Sequence, residues 1–310
     1  MKKFVTVLLC ALQAAFMYAL PDLLSLNTDF KDLNVLRRQT RSADGNIGCI
    51  HMESVKGELQ YVSDGSTEVC GLYLIGQPNE VVVVAFLEFN VNCETGGVLA
   101  TLDGWELQGD LFPSENDHTL SLAERYHMYC GETRPKKIFI SSQNVALIQF
   151  RLPNPGEGFK VFVNFKKNPQ PCNAVAMFDM GTLTMKNYGL RRNCTTSIIY
   201  PEQIHMLNVD VGVTSETKPI EAETGLKETC MNYAGGDYIE VLNGNGLDPR
   251  SMAIKGTLCG MDSNSDAPEK FVLGCQHSVV RMVSSGIFHN TVTFQYSPPK
   301  EEEINATDMC

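Results

Sequence analysis

The cysteines constrain this chain more than any other feature. From residue 49 onward stand Cys49, Cys70, Cys93, Cys130, Cys172, Cys194, Cys230, Cys259, Cys275 and Cys310. The first eight form two sets of four, Cys49-x20-Cys70-x22-Cys93-x36-Cys130 and Cys172-x21-Cys194-x35-Cys230-x28-Cys259. No C-x-x-C pair occurs, and the nearest two cysteines, Cys259 and Cys275, are sixteen positions apart. Structural zinc takes its ligands in tight pairs, so the set argues against that metal. An even count at wide spacing reads instead as five disulfides, and disulfides need an oxidising compartment.

The N-terminus is consistent with that compartment. Lys2 and Lys3 precede an apolar stretch from Phe4 to Leu20, broken only by Thr6 and Gln13. This is the pattern of a secretory signal peptide over residues 1–20, and its removal also removes Cys10. The expected location is therefore extracellular. Asn193-Cys194-Thr195 and Asn305-Ala306-Thr307 are N-glycosylation sequons, at Asn193 and Asn305. The formal net charge is −11, from 25 basic and 36 acidic residues. Such a balance opposes nucleic-acid binding, which needs a basic face, and docking on an acidic membrane surface. No stretch after the leader is long and apolar enough to span a bilayer; the best, Val81 to Leu87, is of strand length.

The two cysteine sets carry matching segments. Val98-Leu99-Ala100-Thr101-Leu102-Asp103-Gly104 is echoed by Tyr238-Ile239-Glu240-Val241-Leu242-Asn243-Gly244, each a strand closed by an Asx-Gly turn. Asn144 to Phe150 is echoed by Ser278 to Val283, and each half ends on another strand, Phe159 to Phe165 and Thr291 to Tyr296. Period-2 alternation dominates: Phe159, Val161, Val163 and Phe165 share one face, and Lys160, Phe162 and Asn164 the other. The chain therefore reads as all-β, with two copies of one β-sandwich domain. We expect a flexible arm at 21–46, a first domain at 47–166, a linker at 167–171, a second domain at 172–296 and a tail at 297–310, tied back through Cys310 to Cys275. Only Ser121 to Met128 reads as helical.

Catalytic patterns are missing. There is no G-x-S-x-G elbow, no H-E-x-x-H and no P-loop, and the six histidines are scattered. Asp117-His118 invites a relay reading, but no matched nucleophile accompanies it, and Asp-His in a loop usually forms an Asx-type turn. No enzyme activity, cofactor or metal is expected. The single tryptophan, Trp105, follows the Asp103-Gly104 turn and is either an exposed anchor for a partner or a plug at a sandwich edge.

Two four-cysteine β repeats behind a signal peptide resemble CUB domains. The likeness sharpens in Asp103-Gly104-Trp105-x-Leu107-x-Gly109, Phe112-Pro113-Ser114, Asp117-His118, Ala123-Glu124-Arg125-Tyr126 and Ser141-Ser142-Gln143-Asn144-Val145-Ala146. It continues in Asn193-Cys194, Ser197-Ile198-Ile199-Tyr200-Pro201, Gly246-Leu247-Asp248-Pro249 and Val279-Val280-Arg281-Met282-Val283-Ser284-Ser285-Gly286. Together these resemble the corticotropin-releasing factor-binding protein family, from about Cys49 to Cys310. The resemblance implies two tandem CUB-like jelly-roll sandwiches and disulfides between consecutive cysteines: Cys49–Cys70, Cys93–Cys130, Cys172–Cys194, Cys230–Cys259 and Cys275–Cys310. It also implies a secreted glycoprotein that captures a corticotropin-releasing factor (CRF)-family peptide hormone, either CRF/urocortin-like or an invertebrate CRF-like diuretic hormone, and keeps it from its receptor.

Two departures from the family pattern stand out. Many CUB domains hold calcium through an Asp shortly after the third cysteine and another in the Asp-Gly turn. Here Cys93 is followed by Glu94-Thr95-Gly96-Gly97, although Asp103 is present, and the second copy has Asp237 but an Asn243-Gly244 turn. The charges that flank the first cysteine in the family and help hold the peptide are absent too, since the flank is Gly45-Asn46-Ile47-Gly48 and Ile50-His51. The alternative is an extracellular CUB-type adaptor that binds a protein partner. An amphipathic helical peptide needs an apolar groove, at a sheet face or between the domains, and Trp105, Leu107 and Phe112 are the candidate apolar anchors.

Overall fold

The computed structural model describes residues 46–215, 225–227, 230, 236–262, 269–300 and 310. The expected signal peptide and arm, up to residue 45, and Asn305 lie outside the described residues.

In the first half, strands β1 (Ile50–Glu53), β2 (Gly57–Val62), β3 (Cys70–Ile75), β4 (Glu80–Asn90), β5 (Val98–Leu102), β6 (Trp105–Leu107) and β7 (Asp110–Phe112) precede a single helical turn, α1 (Leu122–Arg125). Strands β8 (Tyr126–Tyr129), β9 (Phe139–Ile140), β10 (Val145–Arg151) and β11 (Gly158–Lys167) complete it. Two sheets result, ordered β1-β3-β10-β5-β8 and β2-β11-β4-β9.

The second half contributes β12 (Ala174–Ala176), β13 (Gly181–Lys186), β14 (Cys194–Ile198), β15 (Glu202–Val211), β16 (Gly225–Lys227), β17 (Tyr238–Gly244), β18 (Ala253–Asp262), β19 (Glu269–Leu273), β20 (His277–Val283) and β21 (Thr291–Ser297). Its pairings repeat the first half strand for strand. β12-β14-β20-β17-β18 matches the first sheet, and β13, β21, β15 and β19 match the second. In each half the opening pair, β1–β3 or β12–β14, is parallel and the other pairings are antiparallel. Even an irregularity repeats: β4 carries an extra residue, Leu87, against β11, and β15 carries Leu207 against β21. The copies differ where β18 runs on past β17 to pair with β15 and β16, joining the two layers of the second sandwich.

The expected helix over Ser121–Met128 forms only as a single turn, Leu122–Arg125, and gives way to strand at Tyr126. Ser121 caps the single turn, its N–H and Oγ both donating to the Glu124 carboxylate, at 3.0 and 2.7 Å. Tyr126 to Tyr129 then pair with Leu99 to Leu102, because the long-range ladder outweighs a weak local helix preference.

Each sandwich has its own core. Leu59, Val84, Phe86, Ile148, Phe150, Val161 and Val163 fill the first, and Ile204, Val209, Ile239, Val241, Met282 and Phe294 the second. Consecutive cysteines are bonded, Cys49–Cys70 and Cys93–Cys130 in the first half, Cys172–Cys194 and Cys230–Cys259 at matching places in the second, and Cys275–Cys310 at the tail.

Candidate functional site

The two sandwiches are fused through a third core. In β3 and β10, Leu72, Leu74, Ala146, Ile148 and Phe150 face the first sandwich, and the intervening Tyr73, Ile75, Val145 and Leu147 face the other way. That second face is also buried. It packs with Leu102, Trp105, Leu107 and Phe112 of the first domain and with Val175, Ile199 and Leu247 of the second. Being covered on both faces is why β3 and β10 are buried along nearly their whole length rather than alternating.

Trp105 is central to this junction. Its ring is completely buried, meets Tyr73 edge-on at 5.6 Å, and its indole N–H donates to the Leu74 and Ala146 carbonyls, both at 3.1 Å. Leu107 and Phe112 are buried beside it. The three candidate anchors are therefore plugs between the domains and present no surface to a ligand. They are apolar and follow a tight turn in the sequence, which describes an exposed anchor equally well; the covering residues come from a different domain. The same packing leaves no apolar groove where these three side chains lie.

Polar contacts between the domains flank this core. Asp117, in the loop after β7, is taken by Arg281 of β20 with three contacts of 2.7 to 3.0 Å. Arg281 also donates to Glu240 of β17 at 2.8 Å, and Thr195 Oγ1 donates to Asp117 at 2.7 Å. Burial alone would lower the Arg281 pKa; the hydrogen bonds and charge of Asp117 and Glu240 outweigh it and hold the guanidinium charged. The Asp117-His118 segment does turn, with both backbone N–H groups on the Ser114 carbonyl, but the Asp117 carboxylate serves the junction. Asn144 bridges too, donating to the Val175 carbonyl at 2.8 Å and accepting from the Val175 N–H at 2.9 Å. Asp110 accepts from the Leu247 N–H at 3.1 Å, and a Cβ on Gly246 would collide with that carboxylate, so a side chain there would have to displace this contact.

Asp103 is fully engaged by protein donors. It accepts from the Ser142 N–H at 2.8 Å, Ser142 Oγ at 2.6 Å and Gln143 Nε2 at 2.7 Å, and His118 Nε2 lies 3.2 Å from Oδ2. Burial pushes its carboxyl up, yet hydrogen bonds from His118 and Ser142 prevail and hold it below the ordinary Asp value. The buried Arg125 fastens the same turn by donating to the Asp103 and Pro113 carbonyls. In the second domain Asp237 accepts from the Ser285 N–H at 2.7 Å, Ser284 Oγ at 3.2 Å and Asn290 Nδ2 at 2.7 Å. A calcium ion needs six to eight oxygens with free lone pairs. Both carboxylates are ringed instead by N–H and O–H donors, so these residues do not fit the ion. No cluster of three or more His, Cys, Asp or Glu able to hold a metal occurs among the described residues.

Asn193 of the first sequon is half-buried, its Nδ2 donating to the Asn116 carbonyl at 3.1 Å. Sequence reasoning missed Asp117 and Arg281 as partners. The available signal was a lone arginine in the apolar run Val279 to Val283, at a position whose face must be covered by something negative.

Two tandem β-sandwiches that share a core and a buried ion pair define a two-domain unit. The chain belongs to the corticotropin-releasing factor-binding protein family. Residues 18–168 match the corticotropin-releasing factor binding protein N-terminal domain, and residues 174–305 match its C-terminal domain. Similar proteins include the corticotropin-releasing factor-binding protein of Xenopus laevis, 37% identical over 278 residues, with 88% of this chain and 81% of that protein covered. The Homo sapiens protein of the same name is 35% identical over 259 residues, 83% and 77% covered. Among solved structures, the CUB1-EGF-CUB2 domain of human MASP-1/3 overlaps with a TM-score of 0.27 at 12% identity, covering 78% of this chain and 99% of that one. The motifs through which the sequence resembles the family are, for the most part, the junction: Trp105, Asp117, Arg125, Asn144, Ile199, Leu247 and Arg281 all lie in or beside it.

Proposed function

We propose that this protein is a secreted binding protein that captures a CRF-family peptide hormone and limits activation of the hormone's receptor. The observation that carries the reading is the match of both halves of the chain to a family whose named members are corticotropin-releasing factor-binding proteins. The basic-then-apolar leader and the five disulfides support secretion, and the sequons at Asn193 and Asn305 support glycosylation. The reading gives the protein no catalytic step, no cofactor, and no nucleic-acid or membrane partner. With the apolar core between the domains filled by Trp105, Leu107 and Phe112, an outer face is the better place for the apolar stripe of a helical peptide.

Titration of the purified protein with synthetic CRF peptide tests the proposal. Nanomolar affinity, about −12 kcal/mol at 25 °C, is expected, with only a modest loss in high salt because charge acts mainly on the association rate. Adding a chelator should change neither the affinity nor the melting temperature. No binding at micromolar concentration refutes peptide capture, and a chelator-sensitive melting temperature would favour the alternative, a calcium-dependent CUB adaptor with a protein partner.

A further inference from the structure

Beside the Asp117–Arg281 pair a cavity of about 420 Å³ opens between the two domains. Asn116 and Thr119 of the first domain line one side and Arg191, Arg192 and Asn193 of the second line the other. Its charge is out of keeping with the chain. The protein as a whole is acidic, at −11, yet Asp117 is already spent on Arg281, and among the described residues neither Arg191 nor Arg192 has an ion-pair partner. The cavity is thus a cationic spot in an anionic protein.

Arg192 is held in readiness. Its guanidinium rests on the Tyr188 ring, 5.1 Å from the centroid, and its buried Nε and Nη2 have no hydrogen-bond acceptor among the described residues. The loop that carries it is locked by Asn187, whose side chain donates to Ser284 Oγ at 2.6 Å and the Phe288 carbonyl at 2.7 Å and accepts from the Asn290 N–H at 2.9 Å. Tyr188 sits in the left-handed region at φ 54°, a conformation that side-chain-bearing residues adopt at a cost. Unpaired buried donors are costly, and a stacked, planar guanidinium matches a carboxylate through two parallel N–H bonds. Arg192 lines the cavity with an uncompensated charge, and an anion bound against that wall would neutralise it.

We propose that this cavity is the subsite for an acidic side chain of the captured peptide, with Arg192 as its principal partner and Arg191 adding charge at the rim. The inference rests on the peptide-capture reading and names a contact within it. It also gives the packed junction a purpose, because the subsite exists only while both domains hold their relative position.

Titrating synthetic CRF peptide into the wild-type protein, Arg192→Gln and Arg191→Gln/Arg192→Gln tests it, alongside peptides in which each Asp or Glu is replaced in turn by Asn or Gln. The expected result is a loss of affinity of about 10- to 100-fold for Arg192→Gln with the melting temperature retained. One amide-substituted peptide should lose the same factor against wild type and nothing further against Arg192→Gln. Wild-type affinity in both arginine variants overturns the subsite and leaves peptide capture standing. Should the variants misfold, the peptide series on the wild-type protein decides, and no weakened peptide in that series overturns the subsite too. A wild-type protein that binds no peptide at all overturns both readings.

Discussion

Trp105→Ala discriminates sharply between a junction plug and a ligand anchor. The ring is wholly enclosed by Tyr73, Leu107, Phe112 and residues of both domains, and its N–H serves two carbonyls. Truncating a buried aromatic to alanine costs about 3–5 kcal/mol through lost transfer energy and the cavity left behind, and the lost indole hydrogen bond adds about 1 kcal/mol. Against a typical total stability of about 5–15 kcal/mol that is a large fraction. For a chain of this size about 2–4 °C of melting temperature accompany each kcal/mol, so Trp105→Ala should melt about 10 °C or more below wild type. Trp105→Phe keeps most of the volume and should lose less than half as much. Calorimetry reads the shift directly. Because Trp105 is the sole tryptophan, quenching of its fluorescence by acrylamide reports on the wild-type junction, and it should be weak until the domains unfold. A Trp105→Ala protein that keeps its melting temperature to within about 3 °C while losing peptide affinity would refute the argument and restore the anchor.

Two further predictions follow from buried charge. Arg281→Met leaves the Asp117 carboxylate, whose side chain is 0% exposed, without its partner, and should cost about 3–5 kcal/mol in denaturant titrations; adding Asp117→Asn should recover much of that. Glu202 is fully buried, and neither of its carboxylate oxygens has a hydrogen-bond partner among the described residues. Burial pushes its pKa up to about 9 from 4.5, and the nearby Asp179 adds to the shift. With the folded pKa raised, the folded state binds the proton more tightly. The contribution is therefore full below pH about 4.5 and falls away as pH rises toward 9, a loss of about 3 kcal/mol by pH 7 at about 1.4 kcal/mol per unit. Glu202→Gln should accordingly raise the melting temperature at pH 8 and leave it unchanged at pH 4; an equal shift at both values would mean that the charge is not the cause.

The repeat was legible along the chain because every constraint that builds it is local. Alternation over Phe159 to Phe165 sets a strand and its buried face, Asp103-Gly104 sets a turn, and the spacing of Cys49, Cys70, Cys172 and Cys194 marks equivalent places in two copies of one sandwich. Even the uninterrupted apolar run in β3, Cys70 to Ile75, hints at a strand covered on both sides. What covers it is not written there. Arg281 meets Asp117 across 164 positions and Leu247 meets Asp110 across 137, contacts that arise only once two finished sandwiches have docked. Docking depends on how whole faces fit, and a residue's own neighbours in sequence say nothing about the opposite face. Trp105 shows the limit most plainly: a ring beyond a tight turn has the same local pattern whether solvent, a hormone or a second domain lies against it, and only the tertiary structure supplies the second domain.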